Sequence, residues 1–108
     1  MNYGNKDRLT YVSKLADIVN VVIVAGSVNT NGNATLYKGS FSSYRIQSGK
    51  YRITHNLGTT NYSIVFAANG DYSRNYAVFS KTSEYFEVVT FHDTKWDDAS
   101  FYFTIIGF

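Results

Sequence analysis

The chain has 108 residues, 44% hydrophobic and 18% aromatic, with ten Tyr, eight Phe and neither Cys nor Pro. That length suits one domain, and the apolar content suffices for a core, which argues against global disorder. Without cysteine there is no disulfide, thiolate metal site or Cys nucleophile. The formal charge of +2 comes with basic residues scattered singly (Lys38, Arg45, Lys50, Arg52, Arg74 and Lys81), which gives no track for phosphates and argues against a nucleic-acid partner.

A domain this small buries only ~65% of its unfolded surface. Exported domains of this size often lean on disulfides. Their absence points to folding in a reducing cytoplasm or to stabilisation by oligomerisation. The most apolar early run, Ile18 to Ala25, is broken by Asn20. It is too short to span a bilayer and lacks the basic lead of a signal peptide, so no membrane insertion is expected.

Residues 1–19 read as a short helical lead-in. Between Lys6 and Val19 the apolar residues Leu9, Val12, Ala16 and Val19 recur in steps of three, four and three, the a/d spacing of a coiled-coil seam. Asn5 is a candidate N-cap. A helix this short is marginal alone, so it requires a partner: the domain's own sheet, or copies of itself in an oligomeric stalk.

Residues 20–108 read as a β head. Val21 to Val24 is β-branched throughout, and Gly26 to Asn33 has the composition of a long turn. Ala34 to Phe41 and Tyr44 to Gln47 follow as strands, with Ser48-Gly49 turning the second into the next. From Lys50 to Leu57, Tyr51, Ile53, His55 and Leu57 alternate with Lys50, Arg52, Thr54 and Asn56, an antiparallel strand with one wet face. After a turn at Gly58 to Asn61, Tyr62 to Ala68 is apolar on both faces and is expected to be a central strand. Asn69-Gly70-Asp71 is a turn. Arg74 to Ser80 and Tyr85 to His92 are strands, and Asp93 to Asp98 is a polar loop holding the only Trp. In the last strand Phe101, Phe103 and Ile105 oppose Tyr102, Ile106 and Phe108. This end is expected to be built into the sheet and to be terminal in its parent protein. Seven or eight short strands with regular turns predict an antiparallel β-sandwich, jelly-roll-like in style.

Chemistry has little material. The two histidines, His55 and His92, lie in no His-x-His or His-x-x-x-His spacing, so zinc lacks its usual ligands. Asp93, Thr94, Asp97 and Asp98 are either oxygen ligands for a loop cation or solvated acids, the commoner case. Glu84 and Glu87 are three apart on an extended chain and face opposite ways, which does not make an acid/base pair. No nucleophile elbow or phosphate-cradling glycine loop is present. The expectation is a non-enzyme without cofactors whose loops bind. Trp96 with Asp97 and Asp98, and Tyr72 with Asn69 and Asp71, place an aromatic ring beside polar acceptors, a chemistry that suits a sugar's C–H face. The alternatives are a Trp96 that anchors its loop against the sandwich, and a Tyr72 and Tyr76 that pack in a core or between subunits.

The stretch Gly49-Lys50-Tyr51-Arg52-Ile53-Thr54-His55-Asn56-Leu57-Gly58-Thr59-Thr60-Asn61-Tyr62-Ser63-Ile64 resembles the G-x-Y-x-[IV]-x-H-N-[LM]-G…Y-x-[VI] pattern of C-terminal domains in bacteriophage tail-fibre and related tail-tip proteins. The ending Ile105-Ile106-Gly107-Phe108 is similar too. The resemblance covers the middle and end of the β region, about half the chain. It implies a helical segment leading into a β-sandwich head, association of three heads, and a tip on the virion that touches a host-surface glycan or protein. Metal-binding fibre tips carry repeated His-x-His motifs, and this chain departs from them. Physically, Tyr51, Ile53 and Leu57 fill a core face, Asn56 and Gly58 accept positive φ, and His55 is expected to hydrogen-bond the turn. Two other functions fit the same residues: a purely structural trimerisation or scaffold head, and a monomeric carbohydrate-binding module.

Overall fold

Period-two patterning becomes strand where one face has a core to bury. In the computed structural model, which describes residues 22–70 and 73–107, nine strands form. They are β1 (Val22–Val28), β2 (Ala34–Lys38), β3 (Ser42–Gln47), β4 (Lys50–Thr54), β5 (Tyr62–Ala68), β6 (Asn75–Lys81), β7 (Tyr85–His92), β8 (Lys95–Trp96) and β9 (Phe101–Gly107). They make two antiparallel sheets. The first has the order β2-β1-β9-β5, and the second β3-β4-β7-β6 with β8 paired to β7. The described residues are all-β, as the sequence predicts for the head. The helical lead-in and its seam of Leu9, Val12, Ala16 and Val19 lie outside the described residues.

One core joins the two sheets. Val24, Val28, Phe101, Phe103 and Ile105 come from the first sheet, and Tyr51, Ile53, Phe86 and Val88 from the second. Their rings meet edge to face, with centroids 5.5 Å apart for Tyr51 and Phe101 and 5.8 Å for Phe86 and Phe103. Each such side chain stabilises the fold by roughly 1.5–3 kcal/mol through burial. The last strand, β9, lies in the middle of its sheet between β1 and β5, and its Phe101, Phe103 and Ile105 face inward as the alternation predicts.

Two expectations need correction. Tyr62 to Ala68 forms β5, an edge strand rather than a central one. Its inward residues are Tyr62, Ile64 and Phe66, while Val65 points outward and is 58% exposed. Gly26 to Asn33 is not one long turn. Strand β1 continues through Val28, and the turn is confined to Asn29–Asn33, where the Asn29 side chain accepts from the Asn31 and Asn33 N–H groups. Gly26 is a packing position: a Cβ there would lie 2.4 Å from the Phe41 ring and 2.5 Å from the Leu36 carbonyl oxygen.

The chain reversal after β4 follows the expected chemistry. Asn56 and Gly58 adopt φ of 54° and 77°. The His55 and Asn56 N–H groups donate to the Glu84 carbonyl, and the Leu57 N–H donates to His55 Nδ1 at 3.0 Å. His55 therefore holds the turn.

Candidate functional site

Alternation along β4 sends Tyr51 and Ile53 into the core and Lys50 and Arg52 to the outer face of the second sheet. On β7, Phe86 and Val88 go inward, so Glu87 and Val89 share that outer face. Register then sets Tyr44, Arg52, Glu87 and Ser80 abreast across four strands. Lys50 lies beside Val89, one pleat further along, and Trp96 lies beside Phe91.

Glu87 is the floor of this face. Its carboxylate is almost fully buried, and a buried charge needs partners. Arg52 supplies two hydrogen bonds to Oε2, from Nε at 2.9 Å and Nη2 at 2.6 Å, and Lys50 Nζ lies 3.6 Å from Oε1. Aromatic rings flank both cations. The Arg52 guanidinium is 4.0 Å from the Tyr85 ring centroid and 5.7 Å from that of Tyr44. Lys50 Nζ stands 3.7 Å above Phe79. Phe79 in turn meets Trp96 edge to face at 5.7 Å. The register of β6 against β7 slips between Val78 and Ser80, a bulge at Phe79, and bulges re-aim side chains. Phe79 is 53% exposed and Trp96 37%. The result is an open row of rings, Tyr44 and Tyr85 at one end and Phe79 and Trp96 at the other, with two cations set among them.

Trp96 is positioned by a tight hairpin. Strand β8 turns back on β7 through Asp93, whose φ is 58°. The Asp97 N–H donates to the Thr90 carbonyl at 3.0 Å, and the Thr90 hydroxyl donates back to the Asp97 carbonyl. Gly49 makes room for this crossing, because a Cβ there would lie 2.6 Å from the Asp97 nitrogen. A cleft of about 370 Å³ follows the hairpin, lined by His92, Asp93, Thr94, Lys95, Trp96 and Asp97.

The three consecutive residues expected to form one site have different roles. Trp96 joins the exposed aromatic row. Asp97 pairs with Arg74 at 2.9 Å, which ties the end of the β5–β6 connection to this loop. Asp98 turns to internal partners: it accepts from Arg45 Nε at 3.0 Å and from the Gly49 N–H at 2.7 Å, and the Tyr51 hydroxyl lies 3.1 Å away. Burial alone would raise the Asp98 carboxyl, but these hydrogen bonds together hold it below its ordinary value. Burial raises the Tyr51 phenol, with the Asp98 charge adding to the effect, so the hydroxyl stays a donor. Asn69 is half-buried at the start of the β5–β6 turn, and Asp71 and Tyr72 lie outside the described residues.

Lys50, Arg52, Tyr44, Tyr85, Phe79 and Glu87 were not legible as site residues from the sequence. The wet face of β4 announces Lys50 and Arg52, but only register brings four other strands beside them. Among the described residues no group of three His, Asp or Glu side chains converges as a metal set. The chain matches no protein-family model, and no curated protein matches it in sequence.

Proposed function

We propose that this domain is a non-catalytic recognition head, the tip of a virion tail fibre, which acts as a homotrimer and binds a host-surface saccharide through the outer face of its second sheet. The observation that carries this reading is the row of rings, with Tyr44, Phe79 and Trp96 exposed and Tyr85 half-buried, held in place by cations that a buried carboxylate fixes. Aromatic rings combine large contact area with low conformational entropy, which suits recognition. Rings fixed before binding lose little freedom when a ligand arrives.

The other sheet supports self-association. Its outer face carries Ile23, Leu36, Val65 and Tyr102, all exposed, with Lys38 on the edge strand β2 its charged residue. Exposed apolar faces of this kind mark contact surfaces. This favours an oligomer over a monomeric carbohydrate-binding module. Linked sites on three heads would gain avidity on a multivalent surface, so each can be weak.

Binding to an array of surface glycans tests the reading, with Phe79→Ala and Trp96→Ala beside the unaltered protein. The expected result is saccharide binding that each variant reduces at least roughly tenfold, the loss expected of a buried aromatic contact. Full binding by both variants would remove this face from recognition. Absence of any saccharide ligand would favour a scaffold head instead.

A further inference from the structure

Resting on that reading, we infer that the saccharide bound by the second sheet is acidic, a sugar bearing carboxylate or sulfate, with its anionic group held between Lys50 and Arg52. The charges on this outer face do not balance. One carboxylate, Glu87, serves two cations, Lys50 and Arg52. The face therefore keeps one positive charge among its rings.

The unused donors point the same way. Arg52 gives Nε and Nη2 to Glu87 and leaves Nη1 without a hydrogen bond among the described residues. Lys50 Nζ stands beyond hydrogen-bond reach of Glu87, at 3.6 Å. Neither nitrogen is a buried polar atom lacking a partner; those among the described residues are His55 Nε2 and Arg74 Nε. The Arg52 side chain is 32% exposed and that of Lys50 16%, so each cation is reachable from solvent in part. The two residues are second neighbours on one strand, and second neighbours on a face lie about 6.5–7 Å apart. An anionic group with oxygens some 2 Å apart can accept from both. A guanidinium suits this task because its donors are fixed in a plane.

The division of labour is then specific. Glu87 orients both cations and keeps them from folding away over the sheet. Tyr85 and Tyr44 on one side, and Phe79 and Trp96 on the other, offer apolar faces for the sugar rings that flank the acidic one. An acidic peptide would also seek the two cations, but it has no use for an open row of rings spread over four strands.

Titration calorimetry on the full chain tests the inference with polymers matched in backbone and differing in charge. The probes are polygalacturonate against its fully methyl-esterified form, and dextran sulfate against dextran, each at low and high salt, with polyglutamate as the non-sugar polyanion. At least one acidic form is expected to bind roughly tenfold or more above its neutral partner, the weight of a charge-assisted hydrogen bond. That preference should shrink at high salt. Whichever acidic polymer binds identifies carboxylate or sulfate as the group recognised. Lys50→Gln should reduce the preference, and Trp96→Ala should weaken acidic and neutral forms alike. The salt dependence is read on the unaltered chain and stands even where a variant fails to fold. Equal binding of neutral and acidic forms would overturn the inference and leave saccharide recognition intact. Equal binding of polyglutamate would overturn it by reducing the effect to charge alone. Binding of no saccharide at all would overturn the functional reading and this inference with it.

Discussion

Arg52 donates twice to a single oxygen of Glu87, and Glu87 is the more deeply buried partner of the two. This asymmetry sets the order of the mutational effects. Arg52→Ala leaves a carboxylate inside the sheet with Lys50 as its remaining cation partner, and an underpaired buried charge is strongly unfavourable. Glu87→Gln keeps an acceptor of the same shape, and the cations are free to turn towards water. Urea unfolding should therefore show a clear drop in midpoint for Arg52→Ala and a small one for Glu87→Gln. The reverse order would mean that Glu87 is not the member that needs its partner.

Gly26 makes a second, sharper case. Its missing side chain lets Phe41 lie over β1 and meet Phe103 edge to face at 4.9 Å. Gly26→Ala sets a methyl group against that ring and against the Leu36 carbonyl, and the carbonyl belongs to the paired strand β2 and has little room to give. Overpacking of this kind costs about 1–3 kcal/mol. The expected outcome is a loss in that range, read from denaturant midpoints at unchanged m.

The same glycine shows how far the sequence reaches. Alternation in β4 and β9 put Tyr51, Ile53, Phe101, Phe103 and Ile105 in the core without reference to any partner, because a period of two is a local property. Asn56 and Gly58 were likewise legible, since positive φ selects residue types. Gly26 has the local signature of a turn because its neighbours Ser27, Asn29 and Asn31 are turn-formers, yet the reason for the glycine is a phenyl ring fifteen positions away. Apolar residues on both faces predict a central strand at β5, but whether a strand has one neighbour or two depends on the whole topology. The candidate site was legible only at Trp96. Its other members come together through the register of separate strands, which no local pattern encodes.

One imidazole, His55, and one carboxyl, Asp98, set the response to pH. His55 is buried between Tyr62 and Phe86, and Nδ1 accepts from the Leu57 N–H. Burial holds its pKa below the ordinary value, against a smaller opposing pull from Glu84. The unfolded chain therefore takes up this proton first as pH falls. Stability is complete above about pH 6.5 and declines below it. Asp98 is depressed as well, so its contribution is present above about pH 4 and is lost as pH falls through its lower folded value. Unfolding midpoints should fall in two separate windows. His55→Gln should flatten the upper one and Asp98→Asn the lower. A single transition unaffected by either change would show that neither group carries the linkage.

The first sheet offers the test of assembly. Strands β2, β3 and β6 are also sheet edges, and each is irregular: the pairing of β2 with β1 slips at Ser27 and Val28, that of β3 slips between Arg45 and Gln47, and that of β6 slips between Val78 and Ser80. Strand β5 pairs with β9 in unbroken register and carries no charged residue from Tyr62 to Ala68. Bulges and charges are the usual protection of an edge; among the described residues β5 has neither within its own span, and Lys81 Nζ covers the Tyr62 carbonyl at one end. Strand β5 borders the apolar outer face that includes Val65, Ile106 and Ile23. If copies meet on this face, Val65→Lys places a charge in the contact. Such a change on an exposed strand position should alter the isolated fold by no more than about 0.5 kcal/mol. Light scattering after size exclusion should then show a species of about three times 12.2 kDa for the unaltered chain and 12.2 kDa for Val65→Lys. Trp96→Ala, on the opposite sheet, should leave the larger species intact. A trimer that survives Val65→Lys would move the interface off the first sheet, and a monomer in every case would leave the aromatic row as a single site without avidity.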